Sequence, residues 1–393
     1  MRLRLALAIL TIAALSTGAF VYLQGRTDAP AAAPVEPSKT ASMLLDFAPA
    51  PVGQSRSGET DLVPGVAVLT PAVPGGDVVL QRREGKDWVD VMTATQDADG
   101  RADVAVDIPY GTAAVRLRAV MYDDGASKPT VKSEVVRVKA KAPVWRDEFT
   151  GTQVDPANWS HRQLGLRNPE GNRPCAEGSM DSVWVEDGAV HLQVREIPPA
   201  VAQASKEAQP CRHGEFYNGH IGTKRRFSFL YGVMAARIRF PAQQGQHGAF
   251  WSQPTKGGGG AEIDAVEYFG DRFPANGPLA GSSAIQHSIY YPSADDTLAK
   301  EGGLFDLSHL LDEGETWADD FHVFSVEWTP DEYIFRVDGH ETFRTVLGLS
   351  DRKQFVILSL LTSDWELPRM NTSKLTPMSV DWVRVWRPQR ERT

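Results

Sequence analysis

Cysteine is nearly absent: Cys175 and Cys211 are the only two in 393 residues. That excludes a thiolate zinc site with three or four cysteines and a small disulfide-dense scaffold. The histidines are few, and none stand at ligand spacing, so the sequence gives no reason to expect a catalytic metal or any other required cofactor. No cluster of Lys and Arg falls on a predicted helix, and Lys plus Arg is 41 against 50 Asp plus Glu, a net charge of −9. A nucleic-acid partner, which needs a basic footprint, is therefore not expected. Helical periodicity is scarce beyond the first residues. A long apolar run occurs once, from Leu5 to Gly25, directly after Arg2 and Arg4.

That run reads as an export signal over residues 1–25, either cleaved near Thr17-Gly18-Ala19 or retained as an N-terminal membrane anchor. Both alternatives place the body of the protein at the cell surface or outside the cell. In such a compartment the lone pair Cys175 and Cys211 is expected to form a disulfide. Residues 26–42 are rich in Pro and Ala and form a linker. Residues 43–140 show short period-2 runs broken by Glu-Gly-Lys, Asp-Ala-Asp-Gly and Asp-Asp-Gly turns, the pattern of a small immunoglobulin- or fibronectin-like β-sandwich. No acid pair or histidine cluster in it suggests a site, so it reads as an accessory module. From residue 143 to 388 every strongly periodic segment again has period 2, including AVHLQV, VMAARIRF, AIQHSIYY, QFVILSL and VDWVRVW. The fold class is all-β, with a large curved β-sandwich following the small one.

The chemistry concentrates in GGGGAEIDAVEYFG. Glu262 and Asp264 project from one face of a strand, but strict alternation would put Val266, not Glu267, beside them. A β-bulge at Ala265-Val266 supplies the missing residue and returns Glu267 to the same side. Two glutamates flanking a glycosidic bond are what a retaining glycosidase uses, one as nucleophile and one as acid and then base. The intervening aspartate would hold a proton and help keep their pKa values apart. Spacing alone decides nothing, because 50 acids in 393 positions give about one such triplet by chance. The bland reading is a solvated strand edge. Against it stand the four preceding glycines and Gly248-Ala249-Phe250-Trp251, which place an aromatic strand beside the acids.

In these features the chain resembles glycoside hydrolase family 16, the jelly-roll hydrolases. The likeness runs from about residue 145 to 386, through WRDEFTGTQVDPANW, VEDGAVHLQV, FYNGHIGTKRRFSFLYGVMAARIRF, GAFW, EIDAVE, FHVFSVEWTPDEYIFRVDG and MSVDWVRVW in the family's order. The resemblance implies Glu262 as nucleophile, Asp264 as assistant and Glu267 as acid/base. It also suggests substrate contacts for Trp251, His287 (or Tyr290 in its place), Trp365 and Arg237. Asp381 would be a ligand of a structural calcium. The chain departs from the family's glucanases where His247-Gly248 replaces a Trp-Pro pair and Ala235 replaces a glutamate. His247 therefore stands where a sugar platform would be.

The expectation is an exported, monomeric, endo-acting retaining hydrolase of a polysaccharide, with a β-1,3-glucan as leading substrate and transglycosylation as the same chemistry with a sugar acceptor. The rivals are a non-catalytic glycan-binding protein on the same fold and an adhesin whose business lies in residues 43–140. Presence of all three acids favours the enzyme over the first.

Overall fold

The structure, a computed structural model, describes residues 41–387 apart from 48–59, 110–112, 124, 140–141, 163–172, 199–210, 212, 257–258, 296 and 364. The signal or anchor, and all of the linker but its last two residues, lie outside the described residues. No described helix is long and apolar enough to cross a membrane. Four short 3-10 turns are the only helical elements among the described residues; the rest of the regular structure is strand.

The N-terminal strands form two small antiparallel sheets. One orders Ser42–Phe47, Thr60–Thr70 and Arg101–Pro109. The other places Asp77–Glu84 between Asp87–Thr95 and Val115–Met121, with the short strands Val131–Lys132 and Val136–Val138 on the far side. Alternation explains their packing: in RADVAVDI every second side chain, Ala102, Val104, Val106 and Ile108, is buried. With Leu80, Leu117 and Val63 they build an apolar core of their own. Arg101 meets Glu341 of the larger sandwich at 3.1 Å, so the two cores are joined through polar contacts.

The larger body is two stacked sheets over one core. The first runs Ser160–His161, Phe216–Gly222, Gln354–Leu361, His247–Pro254, Glu262–Tyr268, Ile285–Pro292 and Leu298–Phe305. The second runs Val183–Glu186, Ala189–Leu192, Met378–Trp386, Gly232–Arg239, His322–Trp328, Tyr333–Val337 and His340–Thr345. Neighbours such as Gln354–Leu361 and His247–Pro254 are remote in sequence, which makes the sandwich a jelly roll rather than a meander. Phe250, Ile263, Val266, Tyr268, Leu358 and Leu360 of the first sheet face Phe324, Val326, Val383 and Val385 of the second, all buried. Residues alternating with those of the first sheet point away from the core, and that outer face carries the acids.

Candidate active site

The bulge sits where strand parity requires it. Against His247–Pro254 the register runs Phe250 with Val266 and then Trp251 with Asp264, leaving Ala265 unpaired. Against Ile285–Pro292 it jumps from Asp264–Ser288 to Glu267–Gln286. Ala265 and Val266 both turn inward and are fully buried, so Glu262, Asp264 and Glu267 share the outer face. Cross-strand partners point the same way, which brings Trp251, His247 and Gln253 from one side and Gln286, Ser288 and Tyr290 from the other.

Each acid has a distinct surrounding. Glu262 accepts a hydrogen bond from Gln253 Nε2 at 2.6 Å. Burial raises its carboxyl above the ordinary value, the Gln253 bond opposes this, and the charge of Glu267 adds to it. Asp264 is 3% exposed, and its Oδ2 has no hydrogen-bond partner among the described residues. Burial, then Glu267 and Glu262, push it well above its ordinary value, which favours the protonated form. Glu267 receives bonds from His247 Nε2 at 2.9 Å, Ser288 Oγ at 3.2 Å and Gln286 Nε2. Burial would raise it too, but the His247 and Gln286 hydrogen bonds outweigh burial and hold it below its usual value. Tyr290, cross-strand from Glu262, is pushed up to about 12 by burial and then by the nearby acids, so its hydroxyl stays a donor.

Trp251 lies beside Asp264 in the register, with Nε1 donating to Ser359 Oγ at 3.0 Å and the Arg162 guanidinium 5.3 Å over its ring. Trp365 is 47% exposed and leans on Phe269 and Phe273, with ring centroids 5.4 and 6.4 Å away. Phe269 in turn stacks on His247 at 4.4 Å, so Trp365 marks the Glu267 end of the site.

Three candidates fall elsewhere. His287 is not a substrate contact: Gln286 and Ser288 stand opposite Glu267 and Asp264 and face outward, so His287 between them faces the core, fully buried between Phe305 and Phe335. Its Nδ1 donates to the Ala265 carbonyl at 2.7 Å and its Nε2 meets Thr342 Oγ1 at 3.0 Å, so it braces the bulge from behind. Arg237 belongs to the second sheet, where it pairs with Asp381 Oδ2 at 3.0 Å and lies 4.8 Å over the Phe321 ring. Asp381, also on the second sheet, lies apart from the three acids, with its carboxylate accepting from that guanidinium. Among the described residues no group of three His, Cys, Asp or Glu side chains is arranged to hold a metal. Cys175 and Cys211 are joined as a disulfide.

Gln253, Arg162, Arg173 and Glu366 were not foreseen. Gln253 continues the period-2 row from Trp251 and was open to that reading; the other three come from segments whose approach no local pattern encodes.

Comparison with known proteins agrees with this geometry. A glucan endo-1,3-beta-glucosidase A1 from Niallia circulans is 28% identical over 278 residues, covering 63% of this chain and 38% of its own. A beta-glucanase from Rhodothermus marinus is 24% identical over 221 residues, 52% of this chain and 66% of its own. The chain thus spans less than two thirds of either relative. A solved structure described as "Prominent members of the human gut microbiota express endo-acting O-glycanases to initiate mucin breakdown" shares the fold, with a TM-score of 0.50 at 19% identity over 63% of this chain and 91% of that one. The model of the glycosyl hydrolases family 16 matches residues 177–384, which take in most of both stacked sheets and the bulged acid strand, and the chain belongs to that family.

Proposed function

We propose that the protein is an exported, endo-acting, retaining glycoside hydrolase that cleaves internal β-linkages of a polysaccharide. The observation that carries this reading is the bulge that lines up Glu262, Asp264 and Glu267 on one outer face. The glucan-directed names of the two relatives make a β-1,3-glucan the first substrate to test. In the first half-reaction a Glu262 oxygen bonds the anomeric carbon while the glycosidic C–O bond breaks and the Glu267 proton passes to the leaving oxygen. In the second, Glu267 takes a proton from water, the water oxygen bonds the anomeric carbon, and Glu262 departs as a carboxylate. In the free protein the environment favours ionised Glu267, which suits the second step. Once Glu262 is esterified, its charge no longer opposes that state. Asp264, whose protonated form burial and both glutamates favour, avoids placing a third charge between them.

Azide rescue tests the roles. With an aryl β-glycoside bearing a good leaving group, Glu267→Ala plus azide should give the β-glycosyl azide, since the intermediate forms and azide attacks it without base help. Glu262→Ala plus azide should give the α-azide by direct displacement. The opposite pairing reverses the assignment, and wild-type activity in both variants refutes the site.

A further inference from the structure

His247 does more than fill the place of an absent platform. Its Nε2 lies 2.9 Å from Glu267 Oε1, and its Nδ1 lies 3.1 Å from Arg173 Nη2 and 3.4 Å from Glu366 Oε1. Arg173 is itself anchored, its Nη1 donating to the Thr362 carbonyl at 2.5 Å and lying 3.6 Å from Glu366 Oε2. The Glu366 Oε1 approach is not a hydrogen bond, whereas a guanidinium has only donors, so Nδ1 accepts from Arg173 and the Nε2 proton is the one aimed at Glu267. The stack on Phe269, 25° from parallel, keeps the ring plane fixed. The strand cannot back away either: at Gly248 a Cβ would lie 2.7 Å from the Phe240 ring.

We propose that His247, held by Arg173, which is itself paired with Glu366, is a positioning residue that fixes Glu267 and sets the pH range over which Glu267 carries its proton. The inference rests on the reading of Glu267 as the acid/base. A donor on Oε1 favours the carboxylate, so it lowers the pH at which Glu267 ceases to act as an acid. Several other charged and polar groups also face Glu267. Glu262 and Asp264 on its own strand favour the protonated form. Gln286 and Ser288 from Ile285–Pro292, and Lys300 from Leu298–Phe305, favour the ionised one, while Tyr290 remains neutral. Facing His247 are Arg173 from the segment before Cys175 and Glu366 from the loop after Gln354–Leu361. All of these persist when His247 alone is changed, so burial then gains ground and Glu267 moves up.

The test is the pH profile of kcat/KM on the polysaccharide for wild type, His247→Ala and His247→Gln. The alkaline limb, where the general acid loses its proton, should rise by about one pH unit in His247→Ala. In His247→Gln, whose amide keeps a donor, it should stay within a few tenths. Turnover of His247→Ala should fall on the order of 10- to 100-fold on the polysaccharide and much less on an aryl glycoside whose leaving group needs no acid. An unmoved limb in His247→Ala, or equal shifts in both variants, overturns the proposal. If His247→Ala does not fold, 15N NMR of histidine-labelled wild type decides instead: His247 should carry its proton on Nε2, and a proton on Nδ1 alone refutes the arrangement. Failure of the underlying reading is separable. Glu267→Ala that yields no β-azide sinks the acid/base role itself, whereas β-azide with an unmoved limb sinks only the role of His247.

Discussion

Asp264→Asn offers a stability test of the site that needs no substrate. The carboxyl is buried, one oxygen lacks a partner among the described residues, and burial with Glu267 and Glu262 raises it well above its ordinary value of 3.8. A raised group binds its proton more tightly in the native chain than in the unfolded one. Its stabilisation is therefore complete below 3.8 and is lost as pH rises toward the native value, with a slope of up to about 1.4 kcal/mol per pH unit for one proton. Asparagine has the same shape and does not titrate. The variant's unfolding free energy minus that of the wild type should climb from near pH 4 upward. Raw wild-type curves cannot be used alone, because His287 acts in the opposite sense. Burial lowers it to about 4, so the unfolded chain binds more protons between that value and 6.5, and stability grows with pH there. The difference between the two proteins cancels His287 and leaves Asp264 together with its coupling to Glu262 and Glu267. Urea unfolding followed by Trp fluorescence from pH 4 to 8 measures it. Parallel curves across that range would show that Asp264 is not held protonated and would remove its assigned part.

Two further outcomes are expected. The disulfide closes a 36-residue separation, so replacing both cysteines with serine should cost about 4 kcal/mol in the chain-entropy model. Thiol titration of the denatured, unreduced protein should find no free thiol, and two reactive thiols would refute the bond. Trp365→Ala removes a half-exposed ring, so the urea midpoint should barely change while KM for the polysaccharide rises about tenfold, equivalent to about 1.4 kcal/mol. An unchanged KM would show that the ring is only packing on Phe269.

Much of the site was legible because strand parity is a strict rule. The acids, Trp251 and His247 follow from counting along two strands, provided the one extra residue is placed correctly. His287 came from the family resemblance and not from parity, and the register, which sets Gln286, Ser288 and Tyr290 opposite the acids, puts the alternative Tyr290 on the outer face instead. Arg237 failed for another reason: an alternating strand says which residues share a face, not which of two sheets the strand joins. Arg173 and Glu366 were invisible because they reach His247 from loops 74 residues before it and more than 100 after it, a distance no local signal spans. The disulfide was legible from compartment chemistry rather than from geometry.

The unpaired residue at Ala265 also governs which changes of chain length the acid strand can survive. Removing Ala265 would leave the order Glu, Ile, Asp, Val, Glu, in which plain alternation already turns all three acids outward and both apolar residues inward. Adding one residue at the same point, with the bulge kept, would turn the last glutamate into the core. The strand is thus tolerant of a deletion and intolerant of an insertion at one and the same position. Related chains would be expected to differ here by the loss of a residue and not by the gain of one.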